Sequence, residues 1–310
     1  MGKLLFWLFI GWWLYPTKWI LIDLPKAAFK LFVKQSNNYS SEYFGITAKP
    51  QEEELKPIFR DSSQSSQSRV YTQPHPQNMQ SNFINADALC RSLPVANVFK
   101  NGTPRNRNFA MRDLAEWKCK NLTARTSLKN FRTFVAFDTE TTGIDMTGHR
   151  IVEVSCVRFT DFVPTHIFTT LIDPGMPIPY EATAMHHITD NMVVLAPKFY
   201  EIIPSLSAFI ADSPMVAHNA IFDVRFMYAD GMNEIAKKKV YDTLTISRKF
   251  CPNQPNHKLE TCCAVHGISV GNAHRSYADA MACGLLFVQF LMQNYGCRNT
   301  DELKYKLQSN

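Results

Sequence analysis

No two of the eight cysteines stand in the Cys-x-x-Cys spacing of a structural zinc site, and no regular spacing suggests a disulfide framework. They read as reduced thiols of a cytosolic compartment. Cys251, His257, Cys262, Cys263 and His266 crowd one stretch and invite a zinc ion, but they lack the paired geometry that such sites use. The chain has no internal repeat, which excludes a solenoid or propeller array. Charge is missing from residues 4–17, and no small-residue cleavage site follows that run cleanly, which tells against a secretory signal.

What is present is uneven. The net charge of +6 hides a basic stretch, +7 over residues 81–132, followed by an acidic one, −5 over residues 133–295. That pairing suits a polyanion-binding arm ahead of a metal-binding domain; the plainer alternative is a basic helical face that keeps the protein soluble. Residues 1–34 carry the uncharged apolar run, with Trp7, Trp12, Trp13 and Trp19 and then Lys18, Lys26, Lys30 and Lys34. They are expected to associate with a membrane, spanning it or lying in the interface, rather than fold as a buried helical hairpin. Residues 35–82, rich in Ser, Gln, Asn and Pro, are expected to be a disordered linker. Residues 83–130 form a basic, mainly helical segment, with short helices at Asn85–Arg91 and Asn108–Lys118, serving as a small module or as a packing arm.

From Thr133 the pattern turns to strands. Phe134–Phe137 is apolar, Arg150–Phe159 alternates with one polar face, and Phe162–Ile172 continues to Asp173-Pro174-Gly175. A Pro-rich loop, a helix over Phe199–Ile210 kinked by Pro204, and short strands at Pro214–His218 and Val240–Asp242 follow. Helices open at Asn219 and Thr243, and others cover Lys258–Val265 and Tyr277–Asn294. This order predicts an α/β fold, a mixed sheet covered by helices over residues 131–295, with a C-terminal tail over 296–310.

The chemistry sits at element ends. Asp138 and Glu140 are two residues apart in a strand and so point to one face. Asp223 lies one turn into the helix after His218-Asn219, and Asp279 lies near the start of the last long helix, five residues after His274. Four acids converging without basic partners would be strongly destabilising unless they held hard cations. All-oxygen ligation suits Mg²⁺ or Mn²⁺, and two such ions roughly 3.5–4 Å apart can drive phosphodiester hydrolysis. His274 is then the natural proton acceptor for the attacking water.

Three segments, Phe137-Asp-Thr-Glu-Thr-Thr-Gly, His218-Asn-Ala-Ile-Phe-Asp and His274-Arg-Ser-Tyr-Ala-Asp-Ala, resemble in order the motifs of the DEDDh exonucleases of the DnaQ-like superfamily, which includes the proofreading epsilon subunit of bacterial DNA polymerase III. Glu181-Ala-Thr-Ala-Met-His-His-Ile-Thr-Asp and Lys258-Leu-Glu are similar to further segments of that family. The resemblance covers about residues 131–294 and none of the first 130. It implies a ribonuclease H-like fold and 3′→5′ exonucleolysis that releases nucleoside monophosphates with two Mg²⁺ or Mn²⁺. Asp138 would bridge both ions, Glu140 and Asp279 would complete one site, Asp223 would support the other, and His274 would be the general base. Thr139 and Thr141 would position the terminal nucleotide, with His186 at the substrate edge and with His218, Asn219 and Phe222 shaping the pocket. His187 stands where the family has glycine, so the shape of that loop is open.

Single-stranded DNA is the favoured substrate. An RNA-trimming enzyme of the same superfamily, or a membrane-tethered nucleic-acid-binding protein with an idle site, are the alternatives. No polymerase, helicase or BRCT-like segment is visible, so any polymerase partner is a separate chain. The nuclease domain is expected in the cytoplasm, tethered through the N-terminus.

Overall fold

The computed structural model describes residues 83–107, 114, 115 and 117–309. The expected anchor over 1–34, the linker over 35–82 and most of the expected helix at Asn108–Lys118 lie outside the described residues. Among the described residues, no helix is long and apolar enough to cross a membrane.

The central sheet has five strands: β2 (Thr133–Thr141), β3 (Ile151–Thr160), β4 (Val163–Leu171), β5 (Met215–Ala217) and β6 (Val240–Asp242). Their order is β4-β3-β2-β5-β6. β3 runs antiparallel to both its neighbours, whereas β2, β5 and β6 are mutually parallel. A mixed α/β sheet flanked by helices is what the sequence predicts. The helices are α1 (Ala86–Ser92), α2 (Tyr180–His186), α3 (Asp190–Val193), α4 (Phe199–Ile210), α5 (Ala220–Ala229), α6 (Thr243–Phe250), α7 (Leu259–Val265), α8 (Ser276–Tyr295) and α9 (Thr300–Ser309). A separate two-stranded parallel pair joins β1 (Ile84–Asn85) to β7 (Ile268–Ser269).

Strand parity sorts β2 into two cores. Phe134 and Ala136 face the core built on α8, while Val135 and Phe137 face the core built on α4 and α5. Phe134 stacks on Phe159 of β3, with ring centroids 4.7 Å apart, and meets Phe287 of α8 edge-on at 5.2 Å. α8 is buried nearly all round because the sheet, α1, α6, α7 and α9 enclose it, so its sequence carries little polar stripe. It comes close to the sheet at Gly284, where a Cβ would lie 2.2 Å from the Phe159 ring and 3.0 Å from the Ala136 Cβ. The polar face expected on β3 is not a solvent face: Glu153 and Ser155 are buried under the start of α8. Alternation identifies a second face but does not say what covers it.

Among its described residues, the segment before the sheet, expected to be mainly helical, is mostly extended. Apart from α1 and a 3-10 turn at Leu128–Phe131, its described residues run as a strap. Val95 pairs with Ile167 on edge strand β4, and Lys120 pairs with Tyr241 on edge strand β6, so the strap blunts both edges of the sheet. In between it crosses α4 beside Glu201 and Ser205, where Asn101 and Gly102 donate their amides to the Glu201 carbonyl, at 3.2 and 2.9 Å. Pro204, one turn on, has no amide to give the Tyr200 carbonyl, which loosens the ladder there. Gly102 has to be glycine, since a Cβ would fall 1.8 Å from the Tyr200 carbonyl oxygen. Part of the segment's positive charge is held by the domain itself: Arg105 donates to the Gly231 carbonyl, and Arg107 pairs with half-buried Asp230 and donates to the Met146 carbonyl. The tail likewise forms α9, whose Leu303 is fully buried.

Candidate active site

Asp138 and Glu140 leave β2 on the α8 side, and Asp279 comes from the first turn of α8. One oxygen from each lies within 4.8 Å of the others, the one group of three or more possible metal ligands among the described residues. The cysteines and histidines between 251 and 266 do not gather in this way. Cys251 Sγ contacts His266 Nε2 at 3.7 Å, Cys262 Sγ accepts from Gln254 at 3.1 Å, and His257 Nδ1 meets Ser247 Oγ at 2.9 Å. All eight cysteines are free.

Asp223 stands apart from the trio. It is buried on α5, and its Oδ1 accepts from both the Thr139 amide (2.9 Å) and the Thr139 hydroxyl (2.7 Å). Thr139 therefore holds an acid, with its hydroxyl proton committed and only the oxygen's lone pairs left to accept. Burial raises every one of these carboxyls above its ordinary value. Asp138 is driven up further by Asp223, Asp279 and Glu140. Glu140 reaches about 8, through burial and then Asp279 and Glu153. Asp223 and Asp279 reach about 7, and in each the hydrogen bonds it accepts, from Thr139 and from the His274 amide respectively, pull the other way. Crowded all-oxygen acids that resist ionisation, Asp223 buried and the other three half-buried, fit a divalent cation, whose charge would favour the ionised form.

Beside Glu140 opens a cavity of about 450 Å³, within the range of small-ligand sites. Thr141, Gly143, Ile144, Met185 and His186 help to line it, and Ile144 is exposed at 89%. The Thr141 hydroxyl donates to the Gly143 carbonyl at 2.6 Å. His186 is buried; its Nδ1 accepts from the Ile188 amide at 3.0 Å, so the neutral ring carries its proton on Nε2. That Nε2 faces the Thr141 carbonyl but falls short of hydrogen-bond geometry. His187, next along, caps α2 at φ 61° and ψ 17°. The loop thus keeps the left-handed backbone that glycine would adopt freely, in spite of the substitution.

His218 and Asn219 are both held by hydrogen bonds to neighbouring elements. His218 Nε2 donates to the His257 carbonyl at 2.8 Å, and Nδ1 accepts from the Thr243 hydroxyl at 2.9 Å. Burial keeps the ring neutral, and both nitrogens are used in joining the end of β5 to α6. Asn219 sits at φ 64°, and its amide donates to Asp242 Oδ1 at 2.9 Å. Phe222 packs against Phe226, with centroids 4.9 Å apart. His274 is exposed at the rim, at φ 62°, its amide bonded to Asp279 Oδ2 at 3.0 Å.

Three residues near the site escaped the sequence reading. Asp242 caps α6 through Leu244 and also holds Asn219; an acid just before a helix at Thr243 was the available signal. Glu153 and Arg275 form an ion pair under the site at 2.5 Å, and neither had a signal beyond a polar position in a strand and a place beside His274.

A trio of half-buried acids, two from the end of the central strand and one from the head of α8, forms a candidate site for a divalent cation. The exonuclease family model (RNase_T) matches residues 135–287. The epsilon subunit of DNA polymerase III from Treponema pallidum is 38% identical over 177 residues, which are 54% of this chain and 81% of that protein. A PolC-type DNA polymerase III from Clostridium perfringens is 37% identical over 151 residues, 48% of this chain but 10% of that much longer protein. A solved structure of exonuclease X with 5′-overhanging duplex DNA is 23% identical, covering 55% of this chain and 99% of that one at a TM-score of 0.44, a likeness too slight to bear on function. This chain belongs to the exonuclease family, and residues 135–287 carry its metal-dependent exonuclease domain.

Proposed function

We propose that the protein removes nucleotides one at a time from the 3′ end of single-stranded DNA, using two Mg²⁺ or Mn²⁺ ions held by Asp138, Glu140, Asp223 and Asp279. The observation that carries this reading is the convergence of Asp138, Glu140 and Asp279 oxygens within 4.8 Å, beside a cavity large enough for a terminal nucleoside. Bound there, such ions would supply water activation and stabilisation of the leaving oxygen. The chain's own residues do the rest. Asp138 would be shared between the two sites, Glu140 and Asp279 would complete one, and Asp223, fixed by Thr139, would support the other. His274, at the exposed rim beside Asp279, takes the proton of the attacking water. Ile144 and Met185 offer apolar surface to the terminal base, and the cavity wall at Thr141 and His186 receives the nucleoside.

The sheet order, with β3 alone antiparallel to its neighbours, supports a ribonuclease H-like assignment. The names of the relatives support DNA over RNA, and that of the epsilon subunit supports a polymerase partner in a separate chain. The apolar, tryptophan-rich run over residues 1–34 supports tethering at a membrane, with the nuclease domain on the cytoplasmic side.

The test compares Mg²⁺-dependent degradation of matched single-stranded DNA and RNA by the full chain and by Asp138→Ala. DNA should be the faster substrate and should be shortened from its 3′ end, and the variant should be inactive while still folded. Near-normal activity in the variant would sink the metal assignment, and faster RNA hydrolysis would turn the reading to RNA trimming. Flotation of the full chain with anionic vesicles tests the tether, which fails if the chain stays in the soluble fraction.

A further inference from the structure

Glu153 of β3 lies directly across from Glu140 of β2 in the antiparallel register. Like charges directly opposite on neighbouring strands are unfavourable, more so beside Asp138 and Asp279. A cation answers them. Arg275 Nη2 donates to Glu153 Oε1 at 2.5 Å, and its Nε lies 3.2 Å from each of the two oxygens. Glu153 Oε2 also accepts from the Ser276 amide at 2.9 Å and the Ser276 hydroxyl at 3.0 Å. Glu153 is 2% exposed, and the guanidinium leans on the Tyr277 ring at 5.3 Å. A buried carboxylate thus grips the two residues that follow His274.

His274 needs that grip. Its backbone is left-handed at φ 62°, a conformation that costs a non-glycine residue. Among the described residues its imidazole makes no hydrogen bond, and its amide reaches only Asp279. What aims the imidazole is therefore the backbone on either side of it, and the C-terminal side is clamped to the sheet by Glu153.

We propose that Glu153 and Arg275 are positioning residues that hold His274 over the acid trio by anchoring the first turn of α8 to β3. The inference rests on the reading of His274 as the general base. The pair does not touch the reacting atoms. It acts through His274 and sets turnover rather than substrate or metal binding.

The experiment is a set of double-mutant cycles in the full chain: Glu153→Gln, Arg275→Ala, His274→Ala and their pairwise combinations. Each is assayed for kcat and KM on a single-stranded DNA oligonucleotide, for Mn²⁺ affinity by calorimetry, and for folding by circular dichroism. Glu153→Gln and Arg275→Ala should each lower kcat by roughly 10- to 100-fold, the usual cost of losing a group that orients a catalytic one. KM and Mn²⁺ affinity should stay within about threefold. Combined, the two should cost little more than either alone, because they act as one unit. In the His274→Ala background, Arg275→Ala should cost nothing further. If it still costs its full factor there, the pair does not act through His274 and the inference falls, while the role of His274 stands. If His274→Ala itself leaves kcat unchanged, the general-base reading falls first. Loss of Mn²⁺ affinity in step with kcat, or a folded Arg275→Ala with unchanged kcat, would also overturn the proposal.

Discussion

Thr139 gives both its amide and its hydroxyl to one oxygen of Asp223, Oδ1, at 2.9 and 2.7 Å. The two residues are 84 apart in the chain, and this pair of bonds ties the end of β2 to the first turn of α5. A buried carboxylate that keeps hydrogen-bond donors stays aimed and is easier to ionise.

Thr139→Val keeps the shape and removes one of the two bonds. A hydrogen bond to a charged group is worth roughly 1.5–3 kcal/mol. Metal-dependent turnover should fall by roughly 10- to 100-fold, as for other groups that orient a ligand, while the amide bond keeps the fold. Steady-state kinetics across a Mn²⁺ titration would check this; activity within twofold of the parent would mean that the hydroxyl does not set the position of Asp223.

Without metal, the acid cluster should make the protein less stable as pH rises. Burial and mutual repulsion raise Glu140 to about 8 and Asp223 and Asp279 to about 7. In the unfolded chain such groups titrate near about 4. Between those values the native state binds more protons than the unfolded one, so stability is full below about 4 and is lost as pH rises through about 8. The melting temperature in chelator should therefore fall from about pH 5.5 to about pH 8.5, and saturating Mg²⁺ should reverse the fall by binding the ionised form. Asp138→Ala should flatten it. A metal-free melting temperature that climbs across this range would contradict the assignment of the cluster.

His187 caps α2 in a left-handed conformation at φ 61°. His187→Gly should remove that strain and, after the extra flexibility of glycine in the unfolded chain, raise stability by roughly 0.5–1 kcal/mol. Thermal unfolding should shift upward by roughly 1–4 °C, with kcat unchanged within twofold. A lower melting temperature would show that the imidazole contributes more than its backbone costs.

Gly102→Ala places a methyl 1.8 Å from the Tyr200 carbonyl oxygen, which can be relieved only by lifting the strap off α4. The cost should be roughly 1–3 kcal/mol, as for other overpacked contacts. Amide exchange should rise at Asn101 and at the edge pairing of Ile167 with Pro94–Ala96. Unchanged exchange at those amides would mean that the strap does not hold the edge of β4.

Much of the site could be read before folding was considered. A strand period of two puts Asp138 and Glu140 on one face whatever surrounds them, and a helix that opens after His218-Asn219 carries Asp223 in its first turn. The spacing of Asp279 from His274 placed both at the head of α8. The same local rules could not show what Thr139 and His218 would be bonded to within the fold. Each carries a group that can bind substrate, and only its neighbours in space decide whether that group is already in use. Thr139 meets an acid from another element, and His218 meets a carbonyl and a hydroxyl.

The sequence by itself determined the alternation of β2, the order of helices and strands, and the number of acids available for a divalent cation, because these follow from residues close together in the chain. Tertiary structure decided which polar residues would be buried and against what. The face of β3 that looked solvated lies under α8, Glu153 finds Arg275 across 122 positions, and the segment expected as a small helical module or a packing arm runs, in its described residues, as a strap over α4 to both edges of the sheet. Such pairings depend on which surfaces the packed layers bring together and on the cost of leaving a buried charge or amide without a partner, and neither quantity is a property of a local stretch of sequence.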